Sequence, residues 1–250
     1  MVIDKIWYAP PGHNNSCAPV SIYSMIHSNL VNEGASIGAD LITIDGVGNS
    51  LSTNARGAFS RTFGSGLSEA NIQKISRTVS RGLSKLGMEI DFKLRTDTIG
   101  LPDIINGEIR EDHFVTVCFS YSFYLQYFQD ENRDHPCLAT VERPLDPLYS
   151  PGHCVLILGE AGGEYQLLDP NCKYSTSLVV EEKSSFLRNY SNKIVRIDRE
   201  EFIGRILLGR MDSYDDQNRV VVSTVIHVRD PSRHDNFTLF DFLGTEADHV

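Results

Sequence analysis

The stretch Gly152-His153-Cys154-Val155-Leu156-Ile157-Leu158-Gly159-Glu160-Ala161-Gly162-Gly163-Glu164-Tyr165-Gln166-Leu167-Leu168-Asp169-Pro170-Asn171 reads as a β-hairpin. Two apolar runs, His153–Gly159 and Glu164–Asp169, flank a turn rich in glycine. Side chains alternate along a strand, so His153, Val155 and Ile157 share one face, and Tyr165, Leu167 and Asp169 also share one. A three-residue turn over Glu160-Ala161-Gly162, with Gly162 in the left-handed last position, pairs Gly159 with Gly163. That register predicts His153 opposite Asp169 on the same face; a bulge would shift it by one.

Working outward, strands are expected at His113–Ser120, Cys137–Glu142, Lys193–Asp198 and Arg219–Val228. A short helix is expected over Ser184–Tyr190, and another over Glu200–Met211 with Phe202, Ile203, Ile206 and Leu207 inward. The N-terminal part is helical instead. Cys17–Val31 has Pro19 in its first turn, where a missing N–H costs nothing, and Asn15 or Ser16 as N-cap. Val20, Tyr23, Ile26, His27 and Leu30 mark its inward face, with Met25 close by. Residues 68–87 form a second helix, with Ile72, Ile75, Val79, Leu83 and Leu86 at helical spacing and Gly87 at its end. Helices early and strands late predict an α+β fold, with helices packed on an antiparallel sheet.

Between the two helices, residues 32–66 carry Gly34, Gly38, Gly46, Gly48, Gly57, Gly64 and Gly66, and read as a long insert or lid within a single domain spanning residues 1–250. Gly46-Val47-Gly48 is not a dinucleotide fingerprint, because Leu51 stands where the third glycine belongs. The tail after Asp235 keeps Phe237, Leu239, Phe240, Phe242 and Leu243, expected to pack back onto the core.

The chain of 250 residues has 23 Lys+Arg against 33 Asp+Glu, a formal net charge of −10. This excludes a dedicated nucleic-acid binder, whose affinity rests on basic residues releasing counterions. The conspicuous basic strip is Lys74, Arg77, Arg81 and Lys85 on the second helix. Its plainer reading is a solvated face; the sharper one is a contact for an acidic partner. No apolar run approaches a membrane span and the start lacks a secretory signal pattern, so a cytoplasmic protein, or one exported without a cleaved signal, is expected. The five cysteines, Cys17, Cys118, Cys137, Cys154 and Cys172, show no C-x-x-C spacing and are expected as free thiols. His113, Cys118, His135 and Cys137 lack any recognised metal-ligand spacing and are expected in structural roles, with no metal or cofactor implied.

Cys17 opens a helix, and a helix N-terminus presents partial positive charge and unpaired N–H groups that favour a thiolate and can stabilise an oxyanion. Together with a histidine and an aspartate on one hairpin face, Cys17, His153 and Asp169 make nucleophile, base and orienter. Cys154 is expected on the opposite face, in packing.

Cys17-Ala18-Pro19-Val20-Ser21 resembles the opening of the nucleophile helix in bacteriocin-leader-type peptidases of the papain-like (clan CA) class. His153 with its apolar strand, followed by Tyr165-Gln166-Leu167-Leu168-Asp169-Pro170-Asn171, resembles YopT-like bacterial effector proteases. The resemblance covers residues 7–31 and 151–172. It implies a papain-like cysteine hydrolase of peptide or amide bonds in a protein or peptide substrate. Cys17 would be the nucleophile, His153 the base and acid, and Asp169 the orienter. Relatives also include glutamine deamidases and acyltransferases, and a non-catalytic interaction module with a vestigial triad is a further alternative. Many relatives place a Gln before the cysteine as oxyanion donor; no Gln precedes Cys17, which leaves Asn14, Asn15 or His13 for that role.

Overall fold

A computed structural model describes residues 2–3, 17–32, 77, 80, 88–95, 100–130, 135–136, 152–172, 181–209 and 220–228. In chain order these form β1 (Val2–Ile3), α1 (Cys17–Asn32), β2 (Met88–Arg95), α2 (Leu101–Arg110), β3 (Val115–Ser120), α3 (Tyr121–Asp130) and β4 (Gly152–Ala161). Then follow β5 (Glu164–Leu168), β6 (Glu181–Glu182), α4 (Lys183–Asn189), β7 (Val195–Asp198), α5 (Arg199–Glu201, continuing as a π-helical turn Phe202–Leu207) and β8 (Val220–Val228). Six strands make one sheet in the order β2-β8-β3-β4-β5-β7, and every neighbouring pair is antiparallel. β1 and β6 form a separate two-stranded ribbon. The chain is α+β, as expected, although helices also alternate with the strands of its second half rather than all coming early.

Each face of the sheet is covered. Val115, Val117, Phe119, Val155, Ile157, Tyr165, Leu167, Val195, Ile197 and Val221 project to one side. They meet Leu101 and Ile105 of α2, Tyr124, Tyr127 and Phe128 of α3, and Phe202, Ile206 and Leu207 of the π-helical turn. α1 packs against β3, β4 and β8. Its Asn29 binds Thr224 Oγ1, which places the helix on the other face, the one carrying Thr116 and Cys154. Asn29 is fully used there: Nδ2 donates to Thr224 Oγ1 (2.8 Å) and the Phe114 carbonyl (3.4 Å), and Oδ1 accepts from the Phe114 N–H (3.1 Å). The Ser21 hydroxyl donates to the Cys154 carbonyl (3.2 Å), fastening the first turns of α1 beside His153. Ser21, Ile22, Ser24, Met25, Ile26, Ser28 and Asn29 are buried. The seam is thus built as much from small polar residues as from the apolar stripe expected. Of that stripe, the side chains of Val20, Tyr23, His27 and Leu30 lie outside the described residues.

The hairpin departs from the expected register in two compensating ways. Gly162 (φ 64°) and Gly163 (φ 84°) form a two-residue turn, the type that needs positive φ at both positions, so Ala161 pairs with Glu164 and Glu160 with Tyr165. Leu158 is then an extra residue, and pairing resumes at Ile157 with Leu167 and Leu156 with Leu168. Without that bulge Asp169 would continue opposite Leu156, on the wrong face. With it, the register runs on to Val155, which shares a face with His153. His153 and Asp169 are therefore diagonal neighbours rather than direct partners.

Three further expectations are corrected. Met88–Arg95, unassigned from the sequence, is a strand that pairs along all of β8. Leu101–Arg110 and Tyr121–Asp130, also unassigned, are helices. The helix expected over Glu200–Met211 is shorter and turns π-helical from Phe202 to Leu207, started by Asp198, whose carboxylate accepts from the Glu200 and Glu201 N–H groups.

The cysteines are not all free: Cys118 and Cys154, direct partners across β3 and β4, are disulfide-bonded with Cα atoms 4.1 Å apart. Cys172 is disulfide-bonded as well. Cys17 is the free thiol among the described cysteines.

Arg77 and Ser80 are helical, with Arg77 exposed, whereas Lys74, Arg81 and Lys85 lie outside the described residues. So do the 32–66 insert beyond Asn32, the strand expected at Cys137–Glu142 and the tail after Asp235. Among the described residues no helix is long and apolar enough to cross a membrane.

Candidate functional site

The end of β3, the start of β4 and the end of β5 coincide at one end of the sheet, since Ser120 pairs with Gly152 and Leu168 with Leu156. The chemistry-bearing residues collect there. His153 is the second residue of β4, Asp169 follows β5 directly, and α3 begins with Tyr121 immediately after β3. Cys17 is the first residue of α1, whose N-terminal end reaches this same edge.

His153 and Asp169 are both buried, at 4% and 0% exposure. His153 Nε2 lies 3.1 Å from Asp169 Oδ1. The N–H points off the line to that oxygen, so the contact is an ion pair more than an aligned hydrogen bond. The Cys17 thiol is within hydrogen-bonding reach of the same ring. With Nε2 turned to Asp169, Nδ1 is the nitrogen left for sulfur.

Burial disfavours charge on His153, but the Asp169 carboxylate outweighs it, Cys17 adds to the effect, and the imidazole is held well above its usual range. Burial likewise works against the Asp169 carboxylate; His153, then His135, overcome it and hold the acid below the usual range. The outcome is an anion and a cation stacked in sequence behind a thiol.

The ring is boxed by aromatics. Tyr121 lies at 4.6 Å between centroids, Tyr124 at 5.6 Å and Phe119, edge-on, at 5.9 Å. They exclude water from the ion pair and restrict the imidazole to one orientation. The Tyr121 phenol is kept protonated, first by burial and then by the negative charge of Asp169 and Cys17. Its oxygen accepts from Asn171 Nδ2 (3.4 Å).

Asp169 is fixed from several sides. Its Oδ1 accepts from the Asn171 N–H (2.8 Å), and its carbonyl accepts from the Cys172 N–H (2.9 Å). The Asp169-Pro170-Asn171 segment is therefore a turn built on the carboxylate that also faces His153. Its Oδ2 accepts from the Tyr124 hydroxyl (3.1 Å), and His135 Nε2 lies 3.4 Å away.

Cys17, His153 and Asp169 are thus brought together from positions far apart in the chain. Asn14, Asn15 and His13, the oxyanion candidates, lie outside the described residues. Sequence reasoning missed Tyr121 and Tyr124, because the helix that carries them was unassigned. Aromatics at 121 and 124, three residues apart directly after an apolar strand, are the signal that finds them. His135 was weighed only with His113, Cys118 and Cys137 as a metal set. That set is dispersed: His113 Nδ1 bonds Glu108 (3.0 Å), Cys118 is in a disulfide and His135 turns to Tyr124, while Cys137 lies outside the described residues.

One group among the described residues brings three ligand atoms within 4.8 Å of one another, Glu108, Glu111 and His113. Lys93 Nζ already sits 2.8 Å from Glu108 and supplies the positive charge there.

The arrangement can hold a thiol against a protonated imidazole and deliver that proton to a leaving group, the requirement for acyl transfer through a thioester. No family model matches the chain, and no curated protein or solved structure is significantly similar to it.

Proposed function

We propose that the protein is a thiol hydrolase of papain-like architecture acting on an amide or peptide bond of a protein or peptide substrate. The observation that carries this reading is the His153 ring held between the Asp169 carboxylate on one side and the Cys17 thiol on the other. The Cys17 thiolate attacks the carbonyl carbon, and the oxygen takes the negative charge. The N–H groups that a helix leaves unpaired in its first turn, here that of α1, are the donors this reading assigns to that charge. Collapse breaks the C–N bond as His153 passes its proton to the leaving amine. Water then attacks the thioester, His153 takes a proton from it, and release of the acid restores the ion pair. Asp169 keeps the ring oriented and its charge balanced. A chain with the Cys118–Cys154 disulfide and a further one at Cys172 fits export into an oxidising compartment better than a reducing cytosol.

Iodoacetamide labelling near neutral pH, followed by mass spectrometry, tests the reading. Cys17 is expected to alkylate much faster in the folded protein than in the denatured chain, and His153→Ala to abolish the advantage. Cleavage of a peptide library, lost in Cys17→Ala, identifies the bond. Folded-state labelling no faster than denatured-state labelling overturns the reading.

A further inference from the structure

The hydrolase mechanism leaves a buried imidazole beside Asp169 unused. His135, 9% exposed, sits behind Asp169, on the side away from His153. Its Nε2 is 2.8 Å from the Tyr124 hydroxyl, and that hydroxyl is 3.1 Å from Asp169 Oδ2. A carboxylate only accepts, so the single phenol proton of Tyr124 goes to Oδ2. The phenol oxygen must then accept, and the proton between it and His135 belongs to Nε2 of the imidazole. A directed chain results, from His135 Nε2–H to Tyr124 O–H to Asp169 Oδ2, with Oδ1 shared by His153 and the Asn171 N–H.

From this geometry we infer that His135 and Tyr124 are positioning residues of the hydrolase site, locking one carboxylate oxygen of Asp169 so that the other stays on His153 Nε2. The inference rests on the reading of Cys17, His153 and Asp169 as the catalytic set. Neither residue touches the reacting atoms; each acts through Asp169. The Asn171 N–H holds Oδ1 and the Tyr124 hydroxyl holds Oδ2, and the two together keep the carboxylate in the orientation that sets Oδ1 3.1 Å from His153 Nε2. Tyr124 is fully buried, with its ring against Phe119, Tyr121 and Phe128, so its hydroxyl has little freedom to turn away.

Among the described residues, the titratable groups facing His153 are Asp169 after β5, Cys17 at the head of α1, and Tyr121 and Tyr124 from α3.

The test uses iodoacetate, an anionic alkylating agent drawn to Cys17 only while His153 is protonated. The rate against pH therefore has a basic limb that reports the imidazolium. In the unmutated protein this limb is expected well above the ordinary imidazole value of about 6.5. Tyr124→Phe keeps the ring and removes the hydroxyl; His135→Leu keeps the volume and removes the donor. Both are expected to move the limb down by about one pH unit, a roughly tenfold loss of rate on that limb. His135→Gln, which retains an N–H donor, restores most of it. A residue that merely packs would change thermal stability and leave the limb in place.

Nitrogen chemical shifts of the unmutated protein supply a readout independent of any variant, with the His135 proton expected on Nε2. A His135 whose Nε2 carries no proton overturns the inference. So does a basic limb that folded Tyr124→Phe and His135→Leu leave unmoved, with the hydrolase reading intact. A wild-type profile with no basic limb overturns both.

Discussion

Cys154 is disulfide-bonded to Cys118 directly across two strands, one residue from His153, whose own cross-strand partner is Phe119. Strand alternation sends the disulfide to the α1 face and the imidazole to the other. The covalent tie therefore holds the strand that carries His153 without occupying the face of the imidazole. It closes a segment with a sequence separation of 36, which by chain entropy stabilises the fold by about 3–4 kcal/mol. The double variant Cys118→Val, Cys154→Val is expected to lose about that much in urea denaturation while Cys17 labelling in the folded state stays within about twofold of wild type. A large drop in labelling in a folded double variant would mean the disulfide positions His153.

The buried ion pair sets a pH signature. His153 is held protonated above its ordinary range, so its contribution is complete below about pH 6.5 and fades as pH rises through the raised value. Asp169 is held ionised below its ordinary range, so its contribution is complete above about pH 3.9 and fades as pH falls through the lowered value. Between the two, stability from the pair is flat. Asp169→Asn removes it and leaves His153 buried without a counter-charge, at a cost of about 3 kcal/mol near neutral pH. Denaturation midpoints across the pH range check this, and the same variant should move the basic limb of iodoacetate labelling to lower pH. Equal stability of variant and wild type at pH 7 would show that the pair contributes nothing.

Asn29 is the polar rivet between α1 and the sheet. Asn29→Ala strands the Phe114 N–H and carbonyl as well as the Thr224 hydroxyl in a buried seam. The expected loss is about 2–4 kcal/mol, larger than for an ordinary surface change. Thermal unfolding measures it; a shift under about 0.5 kcal/mol would mean water replaces the side chain.

Gly163 lies in the β4–β5 turn, at the opposite end of the hairpin from His153 and Asp169, with φ 84°. Gly163→Val forces a β-branched residue into left-handed backbone at a cost of about 1–2 kcal/mol. Because the turn is remote from the site, Cys17 labelling should not change. Labelling that falls together with stability would show that register errors at the turn propagate past the bulge to the end that carries His153 and Asp169.

Much of this arrangement is local periodicity, and local periodicity is legible. Apolar runs over 153–158 and 164–168 about a glycine turn defined β4 and β5 and the face shared by His153 and Asp169, and Cys17 two residues before Pro19 marked the start of α1. Met88–Arg95 was legible, though unassigned: Met88, Ile90, Phe92 and Leu94 alternate strictly with the exposed charges Glu89, Asp91, Lys93 and Arg95, the period-two pattern of a half-buried strand. α2 escaped because Gly107 stands in its interior, and burial of Leu101 and Ile105 against the sheet overrides that cost, while Pro102 in the first turn costs nothing.

By itself, then, the sequence determined the α+β class and which residues offer thiol, imidazole and carboxylate groups, because these follow from side-chain type and from repeats of two and 3.6 residues. Only the tertiary structure decided how they meet. The two-residue turn and the Leu158 bulge together returned Asp169 to the face of His153, and neither can be counted from alternation alone. The Cys118–Cys154 bond and the His135–Tyr124–Asp169 chain join residues 36, 11 and 45 positions apart. Such contacts depend on how whole elements pack, which no local pattern encodes.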